Sequence, residues 1–391
     1  MRNSIDGLVL FSGGLDSLLT ARLLAEQGLR VRCIHFVSPF FGNPGGVARW
    51  KRLYDVDVEI ADASAEMVAL VDNRPPHGFG KGMNPCVDCK ITLLRLARKR
   101  MAELGATFLA SGEVIGQRPM SQRRDVLNTI RREAGVEGIL LRPLCAKHLD
   151  PTPMELSGLV DRERLLAIHG RGRQDQLALA ERFGFTEIPT PGGGCLLTER
   201  ENVCRYWPIR ARREGADVTD YRLADVGRQF WTLEAPRARW LIVGRNSRDN
   251  ETMKKFFREG DLLAGLCDVP GPLGLLRDGA SWDNAERLSA LAQVASFSPR
   301  AVAQGGEARL WLKQASGAQV VLAVTPARGG PWGRMTFAEV KAEKHVLARE
   351  QFLEEERRRE IRRLAGNIAR AVRRASEKPE WMRPRVKLDE E

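Results

Sequence analysis

The chain has 391 residues, of which 43% are apolar and 29% charged, and 62 basic against 50 acidic side chains leave a net charge of +12. That length holds two or three domains with cores of their own; no run of about 18 apolar residues offers a membrane span, and no signal-peptide pattern opens the chain, so a cytoplasmic location and no membrane partner are expected. Seven cysteines, an odd number, favour metal or redox chemistry over a disulfide framework, and the basic surplus points to a polyanion, nucleic acid first.

The first apolar run, Gly7–Phe11, predicts a buried strand, and Leu18, Leu19, Leu23 and Leu24 recur at helical spacing shortly after it. Between them lies Ser12-Gly13-Gly14-Leu15-Asp16-Ser17. A strand, a glycine turn and a helix in this order aim backbone N–H groups and a helix N-terminus at one point, which suits a phosphate. The glycines admit close approach of the ligand, and Ser12 and Ser17 add hydroxyls. Asp16 would repel a phosphate directly but serves well if Mg²⁺ stands between them. The GK[ST] ending of a Walker A loop is absent.

A second strand is predicted over Leu29–Val37, with His35 and Phe36 near its carboxyl end, where they either contact an adenine or fill the core. A loop at 42–46, a helix at 47–54 and a strand at 56–60 follow. This alternation predicts an α/β fold with a mostly parallel sheet, its ligands beyond the carboxyl ends of the strands. After a Pro/Gly/His loop at 74–82, Asn84-Pro85-Cys86-Val87-Asp88-Cys89-Lys90 leads into a helix over Ile91–Leu104. Cysteines at a helix N-terminus are expected to have lowered thiol pKa values. Their spacing alone leaves metal or cluster binding, sulfur or redox chemistry and coincidence all open. A strand at 107–110 then runs into Ser111-Gly112-Glu113-Val114-Ile115-Gly116-Gln117, with Ser121-Gln122 beyond.

SGGLDS at a strand-to-helix junction resembles the pyrophosphate loop (PP-loop) of the ATP pyrophosphatases, which cleave ATP to AMP and pyrophosphate. The order SGGLDS, IHF, CVDC plus helix, GEVIGQxxxSQ is similar to the catalytic domain of tRNA 4-thiouridine synthetases. NPCVDCK and the later Thr190-Pro191-Gly192-Gly193-Gly194-Cys195 resemble the two cysteine segments of tRNA 2-thiouridine synthetases. These matches cover about residues 7–200. They imply an adenine nucleotide alpha-hydrolase-like domain over 1–200, with ATP held by Ser12, Gly13, Gly14, Leu15, Asp16, Ser17, His35, Phe36, Gly112 and Gln117, and Mg²⁺ on Asp16. Asp16, Cys89 and Cys195 are the implied catalytic residues. Sulfur transfer follows one of two routes. Either Cys89 and Cys195 form a persulfide and resolving pair, or Cys86, Cys89 and Cys195 hold a [4Fe–4S] cluster with one iron open. The implied partners are tRNA and a sulfur donor, whether a cysteine desulfurase, a sulfur carrier or sulfide. Cys145 and Cys204 are spare candidates, and Cys33 and Cys267 are expected to be structural. The RNA-binding region that precedes the loop in 4-thiouridine synthetases is not recognised here, so RNA contacts are expected from elsewhere. Arg123, Arg124, Arg131, Arg132, Arg142, Lys147, Arg162, Arg164, Arg171 and Arg173 could flank a phosphate track or lie on solvated faces.

An arginine-rich stretch at 201–218 reads as a linker without periodicity. Strands are then predicted at Tyr221–Gly227, Gln229–Leu233 and Arg239–Val243, with a helix at Glu251–Phe257 and further strands at Ala301–Ala303, Ala308–Leu312 and Val320–Thr325. The GRNSRDN…GDLLAGLxDVPGP pattern resembles the NFACT-type RNA-binding domain, which implies a smaller α+β domain over 219–330 with Arg245, Asn246 and Arg248 as RNA contacts. Residues 222–258 carry nine basic and four acidic side chains among aromatics, a mixture that suits RNA. Residues 331–391 read as a charged helical tail, with Ile361, Leu364, Ile368 and Val372 on one stripe and Lys378–Glu391 frayed. The expected function is ATP-dependent thiolation of a tRNA uridine. The alternatives are an amide- or nitrile-forming ligase with the same loop, or a non-enzymatic RNA-binding protein. The oligomeric state is left open.

Overall fold

The apolar run Gly7–Leu10 forms β1, buried at every position. Four parallel strands join it: β2 (Val31–Val37), β3 (Val58–Asp62), β4 (Phe108–Ser111) and β5 (Leu140–Leu141), in the order β3-β2-β1-β4-β5. The helices α1 (Leu15–Glu26), α2 (Val47–Tyr54), α3 (Ser64–Asp72), α4 (Cys86–Leu104) and α5 (Arg124–Ala134) connect these strands. Strand order reverses between β1 and β4, which places a crevice at their carboxyl ends. Leu10 pairs in register with Ser111, so the loops after these two strands emerge side by side. The computed structural model describes residues 5–189, 194–232 and 238–376.

The second sheet is antiparallel. Its strands β6 (Arg228–Thr232), β7 (Trp240–Val243), β8 (Leu262–Leu266), β9 (Gly274–Arg277), β10 (Ala308–Gln314), β11 (Gln319–Val324) and β12 (Trp332–Gly333) run in the order β11-β10-β8-β9-β7-β6-β12. Leu291 and Val294 of the helix Asn284–Ala295 fill its core with Leu241, Leu276 and Leu310. Most aromatics of the 222–258 stretch belong to this interior: Phe230, Trp231 and Trp240 are buried, and the two tryptophans stack 5.0 Å apart.

Three local expectations are corrected. The stretch read as a linker carries the helix Arg200–Arg212, whose Val203, Tyr206, Trp207 and Ile209 are buried; its many arginines concealed that apolar spacing. Tyr221–Gly227 is mostly helical, because Asp217 and Asp220 form a capping box that starts the helix Val218–Ala224. Ala301–Ala303 lies in the helix Pro299–Gln304, started by Ser298 as N-cap and Pro299 behind it.

These helices fasten the two sheets into one unit. The chain divides at residue 337 into two compact units, 1–337 and 338–391. In the first, Phe40 meets Tyr206 and Tyr221 edge-on at 5.4 and 5.2 Å, and the Tyr221 hydroxyl donates to Asp72 at 3.1 Å. On the other side Arg277, fully buried in β9, donates to Asp220 at 2.9 Å and to Asp261 at 2.7 Å, while Arg213 donates to Asp220 at 2.8 Å. Within 338–391 the described residues continue the helix Phe337–Ser376, with Arg358–Glu354 and Arg359–Glu355 pairs at i, i+4. The residues expected to fray lie outside the described ones. Among the described residues no helix is long and apolar enough to cross a membrane.

Arg277→Ala removes the cation that joins two buried carboxylates, Asp220 and Asp261, of which Asp220 keeps Arg213. A stability loss of about 3–5 kcal/mol is expected, read from the urea midpoint of the full chain.

Candidate functional site

The loop after β1 is built around Gly13, whose φ of +78° only glycine adopts readily. A Cβ there would also stand 2.4 Å from the Trp50 ring, which packs under the loop against Phe11 and His35. Ser17 Oγ donates to the Gly14 carbonyl at 2.8 Å and accepts from the Ser12 N–H at 3.3 Å, tying the turn to the first turn of α1. No side chain caps α1 at Gly14, so its N-terminus is available to an anion. Leu15 is buried and contributes main chain only.

His35 and Phe36 are buried at 2% and 7% exposure. His35 Nδ1 lies 2.9 Å from the Phe11 carbonyl and Nε2 accepts from the Asn43 N–H at 2.9 Å. With both nitrogens held by main chain, His35 joins two loops and has none left for a ligand. Of the two roles expected for this pair, filling the core is the one both residues take.

The loop after β4 closes on the first. A Cβ on Gly112 would stand 2.6 Å from the Asp16 carbonyl, so this position admits no side chain. Gln117 Nε2 donates to Asp16 Oδ2 at 3.1 Å, and Arg173 Nη2 stands 3.9 Å from the same oxygen. Asp16 Oδ1 is buried with no hydrogen-bond partner among the described residues. A carboxylate oxygen left free fits a hard cation such as Mg²⁺, placed between Asp16 and an anion at the helix N-terminus. Glu113 is fully buried; its carboxylate accepts from Arg142 at 2.9 Å and Ser111 at 3.1 Å, with Lys90 3.8 Å away. Burial alone would push its pKa up, but Lys90 and Arg142 outweigh burial and hold it below the usual carboxylate range.

The cysteines are assembled from distant segments. Cys86 and Cys89 occupy the first turn of α4. Leu196 N–H donates to the Phe40 carbonyl and Met83 N–H to the Leu197 carbonyl, both at 2.9 Å, which lays the Cys195 segment against the loop before α4. Gly82 is needed there, since a Cβ would stand 2.3 Å from the Leu197 carbonyl oxygen. Of the glycine-rich approach, 190–193 lie outside the described residues. Burial pushes the Cys89 thiol up to about 12, and Cys195 and Cys86 add to the shift. Burial pushes Cys195 up to about 11, with Cys86 adding again. The lowered pKa expected from the helix dipole is therefore reversed at Cys89, because burial and neighbouring sulfurs outweigh the dipole. Asn84, buried, donates to Cys86 Sγ at 3.0 Å and approaches Met120 Sδ at 3.8 Å.

Among the described residues no three His, Cys, Asp or Glu side chains meet in a group suited to one metal ion. A [4Fe–4S] cubane takes each thiolate on a different iron, so its ligands surround a volume and do not converge on a point. Cys86, Cys89 and Cys195 are near enough to affect one another's ionisation, and thiolates are the donors such a cluster takes. Cys145 is buried and donates to the Glu113 carbonyl at 3.2 Å, a structural role.

Several of the basic side chains at 123–173 are engaged by partners within the protein, although only Arg142 is buried. Arg142 pairs with Glu113, Arg162 with Glu155 and Arg123 with Asp125, and Arg124 donates to the His148 carbonyl. In the second half, Asn246 caps the helix Ser247–Phe256 by accepting from the Asp249 N–H at 2.9 Å, and Arg245 pairs with Asp249 at 2.7 Å. Gly244 leaves room for Asn250, which accepts from the Leu273 N–H at 3.3 Å. Much of the GRN pattern is thus a helix start, and Arg248 remains exposed. Sequence reasoning missed Trp50, Asn84 and Lys90, and it read Arg173 as one of ten cations that flank a phosphate track or lie on solvated faces.

Residues 3–150 match the family described as thiamine biosynthesis protein (ThiI). A probable tRNA sulfurtransferase from Finegoldia magna is 30% identical over 146 residues, covering 36% of this chain and 36% of the relative. A tRNA sulfurtransferase from Desulfurococcus amylolyticus is 28% identical over 147 residues, 35% of this chain and 29% of its own length. A probable tRNA sulfurtransferase from Limosilactobacillus reuteri matches over 28% of each chain at 27% identity. The chain thus spans well under half the length of these relatives. Among solved structures, the U34-tRNA thiolase NcsA from Methanococcus maripaludis with its [4Fe-4S] cluster overlays at a TM-score of 0.26 and 18% identity, covering 57% of this chain and 72% of that one. The C-terminal part of the fibronectin/fibrinogen-binding protein from Streptococcus suis overlays at 0.23 and 13%, covering 62% and 84%.

Glu113→Gln breaks a buried pair and is expected to cost about 3–5 kcal/mol at pH 7. The folded pKa lies below the unfolded one, so the wild-type carboxylate stabilises above the ordinary glutamate value near pH 4.3 and loses this as pH falls through the folded pKa. Urea titrations of both proteins at a series of pH values should show the gap narrowing below about pH 4.

Proposed function

We propose that the protein is an ATP-dependent tRNA sulfurtransferase that adenylates a uridine carbonyl and replaces its oxygen with sulfur. One observation carries this reading: a single loop borders both candidate centres. Gln117 bonds to Asp16 beside the PP-loop, and three residues later Met120 approaches the Asn84 amide that donates to Cys86. An activating site and a sulfur site on one loop suit a substrate that stays bound through both steps. The partial matches to tRNA sulfurtransferases support the same assignment for the N-terminal part.

A uridine carbonyl oxygen is a poor leaving group. Its attack on the α-phosphorus of ATP expels pyrophosphate and leaves an adenylated base. The loop 12–17 binds the phosphates, and Asp16 would hold Mg²⁺, which offsets charge on the departing pyrophosphate. A sulfur nucleophile then adds to the activated carbon, and AMP departs with the former carbonyl oxygen. Cys86, Cys89 and Cys195 would hold a [4Fe–4S] cluster, whose open iron supplies a place for a transferable sulfide. The nearness of Cys86 to both Cys89 and Cys195, each of which it affects electrostatically, supports a centre of three thiolates over a pair of two cysteines. Arg248 on the second sheet's side is the residue proposed to meet the tRNA backbone, from exposure and charge.

Nucleoside mass spectrometry of tRNA from cells lacking the protein should show one thiolated uridine missing, restored by wild type and not by Asp16→Ala. Unchanged thiolation in the deletion would remove the assignment. Anaerobically prepared protein should bind iron, and Cys86→Ala should lose most of the iron along with thiolation. If Cys86→Ala keeps thiolating while Cys89→Ala and Cys195→Ala do not, the persulfide pair replaces the cluster. Arg248→Glu should weaken tRNA binding and lower the salt slope by about one unit for each phosphate no longer neutralised.

A further inference from the structure

Among the described residues Asp16 Oδ1, Gln117 Oε1 and both amide atoms of Gln176 lack hydrogen-bond partners, and Gln176 is completely buried. A cation on Asp16 accounts for the first and leaves the two glutamines. An unpaired buried amide costs about 1–3 kcal/mol, which a bound ligand's polar groups would offset. Gln176 lies in the first turn of the helix Gln174–Arg182, which starts after Arg173 with no side-chain cap. Two interactions bring this segment to the loop: a parallel bridge joins Ile115 to His169, and the Gly170 N–H donates to the Ile115 carbonyl at 2.8 Å. Leu179 and Ala180 then share a core with Leu18 and Leu19 of α1. Two helices with uncapped N-termini therefore start close together, Asp16 in the first turn of one and Arg173 just ahead of the other, 3.9 Å apart.

We propose that Arg173 alternates between two partners. It neutralises Asp16 while the loop is empty, and it turns to the nucleotide's phosphates when a divalent cation takes Asp16. Gln176 supplies a fixed amide to the same nucleotide. This rests on the nucleotide reading above. A guanidinium and a divalent cation compete for one carboxylate, since both are drawn by the same charge. Once released, the planar guanidinium matches two phosphate oxygens at once, and the N–H groups of the following helix add to the attraction.

The signature is a pair of opposite effects on the intact protein. Arg173→Gln should weaken binding of ATP with Mg²⁺ by about ten-fold or more, the loss expected for a charged hydrogen bond. In nucleotide-free protein the same variant should bind Mn²⁺ several-fold more tightly, read by electron paramagnetic resonance of the free ion. A purely structural role would weaken both. Arg173→Lys should recover part of the ATP affinity. Gln176→Leu, of similar volume, should raise the melting temperature and yet weaken ATP. Unchanged ATP affinity in Arg173→Gln, or Mn²⁺ binding that fails to tighten, overturns the alternation; unchanged ATP affinity in Gln176→Leu removes Gln176 from the site. Wild-type protein that binds no ATP would instead remove the nucleotide reading itself.

Discussion

The close approach between the end of β4 and the first turn of α1 is the constraint from which the candidate site follows. Gly112 has no room for a single methyl group against the Asp16 main chain. Because β1 and β4 pair in parallel with Leu10 opposite Ser111, the chain leaves both strands at the same level and in the same direction. The loop after β4 has nowhere to go except across the loop after β1. Gln117 thereby reaches Asp16 over a separation of 101 residues.

Charge is distributed differently in the two sheets. The second sheet spends arginine on its interior: Arg277 and Arg213 hold Asp220, and Arg277 also holds Asp261. Such buried networks contribute little net stability against an apolar equivalent, but they are costly to break and they specify one arrangement. Here that arrangement attaches the helix Val218–Ala224, and with it Tyr221, to both sheets. The count of 62 basic residues therefore overstates the free cationic surface. Much of the 123–173 stretch is paired, and Arg245 is held by Asp249, which leaves fewer side chains such as Arg248 for a polyanion.

The cysteine pocket shows two opposed influences. A helix N-terminus favours thiolate, whereas burial and neighbouring sulfurs favour thiol. At Cys89 the second influence wins. The same crowding that makes a lone thiolate unfavourable brings three sulfurs together, which is what a polynuclear centre needs and a single reactive cysteine does not. The Asn84 amide beside Cys86 adds a fixed donor, and its own orientation is set by the Gly82 N–H at 3.2 Å.

The glycine turn, the parallel strand–helix alternation, the helix following Cys89 and the long terminal helix were legible in the sequence. Each is a local pattern whose period or turn chemistry is independent of distant residues. Motif order also nominated Ser12–Ser17 and the three cysteines as candidates. What only the tertiary structure decided is which of these residues meet and which are already engaged. His35 reads as a ligand until both its nitrogens are found on main chain. Arg173 reads as one cation among many until the Ile115–His169 bridge carries it to Asp16. The helices at 200–212 and 218–224 were hidden because their apolar positions are interleaved with arginines and aspartates that pair only in three dimensions. A sequence states the charge of a side chain, but whether that charge is free depends on partners that folding alone supplies.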